Sequence, residues 1–383
     1  MFKVVIPQEL EAISLPLQNA LNAGSAVGLP RPDIDIGVSL NTDITIQSGT
    51  KYWNISYQKK EHCYQINISG NEMYQIEICY RGKSGTIAET WQSRSEYYSF
   101  VSDQDFDFSS RQSQLGYLGW LVATISFEFS LPDALTLAHL GRDVSRETWL
   151  NSHKEILRLA AADSTQMISD FMPVDLAAFK LYPVVDNIVQ LDQLLALGVK
   201  TVQLRIKNID DKTERAIKHA IESGVHYQAQ VFINDHWQLA IKHGAYGIHL
   251  GQEDIREADL LAISRCGIRL GVSSHGYHEM RLAACINPSY IAIGHIFPTT
   301  TKQMESSPQG LVRLKLYQQF INSYADNRPL PSCAIGGINL QNASQVAACG
   351  VNSIAVVRAI TEAECMASAV SHLTEALENT ADE

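Results

Sequence analysis

Gln230-Val231-Phe232-Ile233-Asn234-Asp235 and Gly247-Ile248-His249-Leu250-Gly251-Gln252-Glu253-Asp254 are two short apolar runs, each leading into polar and acidic residues. The pattern extends in both directions. Strand-like runs occur at Leu181–Asp186, Thr201–Ile206, Gln230–Asp235, Gly247–Leu250, Arg269–Ser273, Tyr290–Ile296, Ser332–Ile338 and Ser353–Ile360. Amphipathic stretches lie between them. Ile188, Leu191, Leu194 and Leu195 recur at helical spacing, as do Ile217, Ala220 and Ile221, and another helix runs through Leu260, Leu261 and Ile263. Eight strand-then-helix units in about two hundred residues predict an α/β fold, a (β/α)8 TIM barrel. The competing doubly wound sheet often carries a glycine fingerprint after its first strand, and none follows Leu181–Asp186.

The 383 residues suggest two or three domains, and the 45% apolar and 19% charged composition is that of a globular chain. The net charge of −11 argues against general nucleic-acid binding, which needs a basic surface. The seven cysteines are odd in number and form no C-x-x-C pair, so neither a disulfide framework nor a zinc site is expected, and a reducing cytoplasm is. Glu9 and Glu11 come too early for a signal peptide. The most apolar window, Leu115 to Leu131, is interrupted by Glu128 and reads as a buried helix rather than a membrane span.

The rhythm changes near residue 178, giving an N-terminal α+β accessory domain over 1–175 and the barrel over 178–383. Tyr52–Tyr57, Tyr64–Ser69 and Tyr74–Tyr80 read as strands. The last two alternate in polarity around Gly70-Asn71-Glu72, the signature of a hairpin. Ser93 to Ser113 reads as a polar loop, Leu115 to Met172 as helical, and Phe171–Asp175 as a linker.

In this fold chemistry gathers at the C-terminal ends of the strands. Strand two ends Gln203-Leu204-Arg205-Ile206-Lys207, and alternation sends Gln203, Arg205 and Lys207 to one face, toward the barrel interior. Two cations there need an anion. A salt bridge to Asp235 or Asp254 is one reading; a clamp on a diphosphate is the sharper one. A lone Asp at a helix start is usually a cap. Asp235 and Asp254 at neighbouring strand tips, beside Arg205 and Lys207, instead suit Mg²⁺, which prefers oxygen ligands and bridges to phosphate. His249 is expected to be packed and hydrogen-bonded. Gly336-Gly337 ends strand seven, and loops seven and eight form this fold's habitual phosphate site.

Residues 180–375 resemble thiamine phosphate synthase. The resemblance rests on the joint occurrence of Tyr182–Asp186, Val202–Lys207, Phe232–Asp235, His249–Asp254, Gly271-Val272-Ser273, Phe297-Pro298-Thr299-Thr300-Thr301-Lys302 and Ala334–Asn339. It implies a transferase that condenses hydroxymethylpyrimidine diphosphate with a thiazole phosphate, releasing diphosphate and thiamine phosphate. Carried over by position, Asp235 and Asp254 would hold Mg²⁺, and Arg205, Lys207 and Lys302 the leaving diphosphate. Gln203, Asn234 and Ser273 would surround the pyrimidine. Thr299, Thr301, Gly337, Val357 and Arg358 would bind the thiazole phosphate. Where Arg358 stands the family commonly has Ser; backbone N–H groups can still bind phosphate there, and Arg could add a bidentate contact.

Ser130–Ala138, with the apolar helix before it, faintly resembles the end of hydroxymethylpyrimidine phosphate kinase. That kinase's Gly-Thr-Gly-Cys anion hole should fall near Gln112-Ser113-Gln114-Leu115 and is absent. The first half therefore reads as a degenerate or unrelated accessory domain without kinase activity. The alternatives to a transferase are an aromatase-like barrel that binds thiazole phosphate and a non-catalytic regulatory barrel. The expected partners are small molecules, with neither nucleic acid nor membrane; a homo-oligomer is left open.

Overall fold

The computed structural model describes residues 2–39, 43–59, 63–70, 73–81, 86–93, 96–102, 110–142, 146–149, 159–161, 171–207, 210–299, 307–323 and 330–378. The chain forms two compact units, Met1–Gln166 and Met167–Glu383.

The first unit is built on a nine-stranded sheet. Its strands are β1 (Phe2–Pro7), β2 (Ile34–Ser39), β3 (Ile44–Ser48), β4 (Lys51–Lys59), β5 (Cys63–Ser69), β6 (Met73–Arg81), β7 (Thr86–Ser93), β8 (Glu96–Ser102) and β9 (Leu159–Ala161). Only β1 and β2 pair in parallel; from β3 to β9 the neighbours are antiparallel. The expected hairpin is present as β5 and β6, in the register Ile66↔Ile76. Two expectations are corrected. The polar stretch read as a loop contains β8, whose polar residues pair through their backbone with β7. The stretch read as wholly helical contains helices Arg111–Ser126 and Leu131–Leu140 but also the short strand β9. Ser110 and Ser130 cap the two helices by accepting from the backbone N–H of Ser113 and Asp133. Residues Gln114 to Ser126 are all buried, which accounts for the apolar window. Among the described residues no helix is long and apolar enough to cross a membrane.

The second unit is a closed barrel of eight parallel strands. They are β10 (Leu181–Val185), β11 (Thr201–Leu204), β12 (Gln230–Asn234), β13 (Gly247–Leu250), β14 (Arg269–Ser274), β15 (Tyr290–Gly294), β16 (Ser332–Ile335) and β17 (Ser353–Val356). All eight runs found in the sequence are strands. Several are shorter than their apolar stretches, because the apolar residues that follow serve another element. Ile360, read as strand, is buried in helix Arg358–Thr361. The interior is filled by large rings: Phe179, Tyr182, Phe232 and Tyr290 pack with centroids 4.8 to 5.9 Å apart. Small neighbours make the room. A Cβ on Gly271 would fall 2.2 Å from the Tyr290 ring.

Phe171–Asp175 is a plug for the bottom of the barrel, not a free linker. Phe171 and Val174 are buried, and Val174 and Phe179 belong to the barrel core. The N-terminal ends of the strands hold this segment. Ser289 Oγ donates to Met172 O at 2.6 Å, Arg269 Nε to Pro173 O at 3.0 Å and Gln230 Nε2 to Asp175 O at 3.0 Å.

Candidate active site

A cavity of about 910 Å³ opens over the C-terminal ends of the strands. It is lined by Gln203, Arg205, Asn234, Asp235, Asp254, Ser273, Thr299, Gly337, Val357 and Arg358, residues singled out in the sequence. Lys207 is not among the lining residues and is exposed. β11 ends at Leu204, so the alternation that would turn Lys207 inward stops short of it. Thr301 and Lys302 lie outside the described residues.

The acidic corner is set by the backbone. Asp235 has φ +63°, a left-handed conformation that Asp tolerates better than most residues and that turns the chain sharply at the end of β12. Its N–H donates to His249 O at 3.0 Å, tying the turn to β13. Asp254 lies in the first turn of helix Gln252–Glu257 and accepts from Gly251 N–H at 3.2 Å, so it is a cap as well as a site residue. Burial and the adjacent Asp254 carboxylate push the pKa of Asp235 up to about 6; Arg205 pulls it the other way. Among the described residues no ion pair joins Arg205 to either carboxylate, so the salt-bridge reading is not realised. Two facing carboxylates that form no ion pair among the described residues fit a divalent ion held by hard oxygen ligands. No group of three or more His, Cys, Asp or Glu converges among the described residues. The pair therefore fits an ion whose remaining ligands are water and substrate oxygens, as Mg²⁺ prefers.

The floor is a chain of hydrogen bonds. Gln203 Nε2 donates to Tyr182 Oη at 3.0 Å, and Tyr182 Oη lies 2.9 Å from Tyr290 Oη. Tyr290 Oη lies 2.8 Å from His249 Nδ1, and His249 Nε2 lies 2.8 Å from Ser273 Oγ. His249 is thus packed and hydrogen-bonded, as expected. Burial, with Arg205 nearby, lowers its pKa to about 4. Gln252 Nε2 donates to Ser273 O at 2.5 Å and fixes that residue's backbone.

The opposite wall is built for close approach. Gly336 and Gly337 have φ +103° and +68°. A Cβ on Gly336 would lie 2.4 Å from His295 Cβ, and one on Gly337 2.6 Å from Pro298 O. Bare backbone therefore faces the cavity beside helix Arg358–Thr361, the geometry that suits a phosphate.

Residues 181–360 match the family described as thiamine monophosphate synthase. A thiamine-phosphate synthase of Yersinia pestis (strain Pestoides F) is 54% identical over 199 residues, 52% of this chain and 90% of the relative. The chain belongs to the thiamine-phosphate synthase family. The barrel accordingly is a transferase of thiamine biosynthesis. A thiamine-phosphate synthase of Serratia proteamaculans (strain 568) is 52% identical over 199 residues, covering 52% of this chain and 91% of the relative. The solved thiamine phosphate pyrophosphorylase from Pyrococcus furiosus is 27% identical, covering 54% of this chain and 98% of that one, with a TM-score of 0.47.

Sequence reasoning missed four residues at this site. Tyr182 and Tyr290 occupy apolar strand positions, and a buried phenol needs a partner, which was the available signal. His275 and His295 directly follow β14 and β15 and line the cavity. His275 Nδ1 lies 2.8 Å from Glu279 Oε2. His295 is buried, with no partner for Nδ1 among the described residues, and burial and His275 lower its pKa.

Proposed function

We propose that the barrel joins hydroxymethylpyrimidine diphosphate to a thiazole phosphate, with the roles divided as follows. Asp235 and Asp254 would hold Mg²⁺, which when bound supplies positive charge against the departing diphosphate. Arg205 at the same corner, and Lys302, which follows β15 in the sequence, meet the diphosphate oxygens. Gln203, Asn234 and Ser273 hold the pyrimidine over the floor. Thr299, Thr301, Gly337, Val357 and Arg358 hold the phosphate of the thiazole. Lys207 is assigned at most to steering the anion inward.

The chemistry follows from charge. The bond between the pyrimidine methylene carbon and the diphosphate oxygen breaks, and its electron pair leaves with the diphosphate. The thiazole nitrogen lone pair then forms the new C–N bond. No proton must be removed, so the step asks for no general base, and His249 is committed to two hydrogen bonds. Negative charge grows on the leaving group, so fixed cations stabilise the transition state more than the ground state. The electron-rich aminopyrimidine carries the transient positive charge.

The observation that supports this reading best is the pair of carboxylates, Asp235 and Asp254, beside Arg205 in one cavity with the Gly336-Gly337 wall. The test is to mix the protein with both substrates, with Mg²⁺ or with excess chelator. Thiamine phosphate and diphosphate are expected in equal amounts and only with the metal. Full turnover in chelator would remove the metal from the assignment, and no product in either condition would remove the reaction.

A further inference from the structure

The floor chain has two ends and five members, and their donors and acceptors can be counted. Gln203 presents its amide nitrogen to Tyr182 Oη at 3.0 Å, and an amide nitrogen only donates. Tyr182 therefore accepts from Gln203, and its own proton must go elsewhere. Its other partner is Tyr290 Oη at 2.9 Å, so Tyr182 donates to Tyr290. Tyr290, having accepted, has His249 Nδ1 at 2.8 Å as the acceptor for its proton. An imidazole that accepts at Nδ1 carries its proton on Nε2, which faces Ser273 Oγ at 2.8 Å. Ser273 therefore accepts from the histidine, and its hydroxyl proton is left for the cavity it lines.

With the Gln203 amide nitrogen toward Tyr182, the reverse order fails. If Ser273 donated to Nε2, Nδ1 would donate to Tyr290 and Tyr290 to Tyr182. The Tyr182 proton would then meet only the Gln203 amide nitrogen, another donor. An imidazolium, donating at both nitrogens, strands the same proton. Tyr182 and Tyr290 are almost fully buried, where an unsatisfied hydroxyl is costly. Burial also raises the pKa of both phenols, which keeps each proton in place.

We propose that Tyr182, Tyr290 and His249 are positioning residues that fix Ser273 as a hydrogen-bond donor to the pyrimidine substrate. The inference rests on the placement of the pyrimidine over Ser273 and adds what that subsite selects. A donor at this point favours a ligand with a lone pair there, such as a ring nitrogen of the aminopyrimidine, and disfavours an N–H or C–H in its place. Tyr290 and Tyr182, which relay the order, lie two and three side chains from Ser273 and outside the cavity lining.

Two measurements test this. The first uses the intact protein labelled with nitrogen-15 at histidine. His249 is expected to show a protonated Nε2 and an unprotonated Nδ1 at neutral pH, and a protonated Nδ1 would overturn the proposal. The second is kinetic. Tyr290→Phe removes the donor to Nδ1 and frees the histidine to take the other tautomer. It is expected to raise KM for the pyrimidine diphosphate about tenfold, with KM for the thiazole phosphate within twofold. In a Ser273→Ala background the same change should add less than twofold, because the hydroxyl it orients is gone. Equal changes in both KM values, or an undiminished tenfold effect without Ser273, would mean a merely structural role. A wild-type protein that makes no thiamine phosphate would sink the proposed reaction, whereas an active wild type with the other tautomer sinks only the relay.

Discussion

His249 Nε2 lies 2.8 Å from Ser273 Oγ, and its Nδ1 lies 2.8 Å from Tyr290 Oη. Both ring nitrogens are spent inside the barrel, so the histidine supports the site rather than reacting in it. Its pKa near 4 has a consequence for stability. The unfolded value is about 6.5, so the folded state binds fewer protons as pH falls. The stability carried by the neutral ring is present above about pH 6.5 and is lost as pH falls through 4. The full loss is about 3 kcal/mol. His249→Asn should flatten the acid limb of barrel stability by that order, read as unfolding midpoints between pH 7 and pH 4.5. An unchanged acid limb would place the sensitivity elsewhere.

The two facing carboxylates predict opposite effects on activity and stability. The pKa of Asp235 is raised to about 6, so its favourable contribution is present below pH 3.8 and is lost as pH rises through 6. At pH 8 without metal the wild type carries that cost in full. Asp235→Asn keeps a residue that tolerates φ +63° and removes the repulsion. The melting temperature in metal-free buffer at pH 8 should rise, by about 1 kcal/mol of stability once solvent screening of this half-buried group is allowed for. Turnover should fall at least a hundredfold. A variant that is less stable at pH 8 would contradict the electrostatic account.

Gly337→Ala would place a methyl group 2.6 Å from Pro298 O at φ +68°. The strain is worth about 1–3 kcal/mol. KM for the thiazole phosphate should rise at least tenfold, while KM for the pyrimidine diphosphate changes little. Loss of both affinities together would show that the wall supports the whole cavity rather than one subsite.

The two lysines should separate. Lys302→Ala is expected to lower turnover by roughly a hundredfold, equivalent to about 3 kcal/mol of transition-state stabilisation. Lys302→Arg should recover only part of this, because a planar fork does not replace a compact ammonium. Lys207→Ala should cost less than tenfold, since that side chain is exposed and outside the cavity lining. Steady-state turnover with both substrates saturating decides between them.

The second unit should work alone if its plug is kept. A chain starting at Met167 retains Phe171 and the contacts of Met172 and Pro173, and should keep synthase activity. One starting at Val174 loses buried Phe171 and the acceptors of Ser289 and Arg269. Burying a Phe is worth about 2–3 kcal/mol. The shorter chain should therefore be less stable by at least that amount and melt at a lower temperature, and equal melting temperatures would show that the segment is dispensable.

The eight strands were legible because a parallel barrel buries both faces of each strand, so each reads as a continuous apolar run whatever surrounds it. Gln203, Asp235, Asp254, Ser273 and Gly337 were legible because they lie at or near the C-terminal ends of such runs, where this fold gathers its chemistry. The ends of the runs were less clear, since apolar residues such as Ile360 serve the next helix equally well. β8 was hidden because a strand can pair through its backbone whatever side chains it carries.

The sequence by itself determined the period of the second half, hence the barrel, and the residue types at the strand tips, hence the chemistry available. Tertiary structure decided which of those residues meet. It left Lys207 outside because β11 ends at Leu204. It turned the linker-like Phe171–Asp175 into a plug because the strand bottoms offer donors to its carbonyls. It joined Gln203, Tyr182, Tyr290, His249 and Ser273 into one chain of hydrogen bonds, although some lie more than a hundred positions apart. Local propensity has no knowledge of such contacts. A buried hydroxyl or imidazole must find a partner, and closure of the barrel decides which one is within 3 Å.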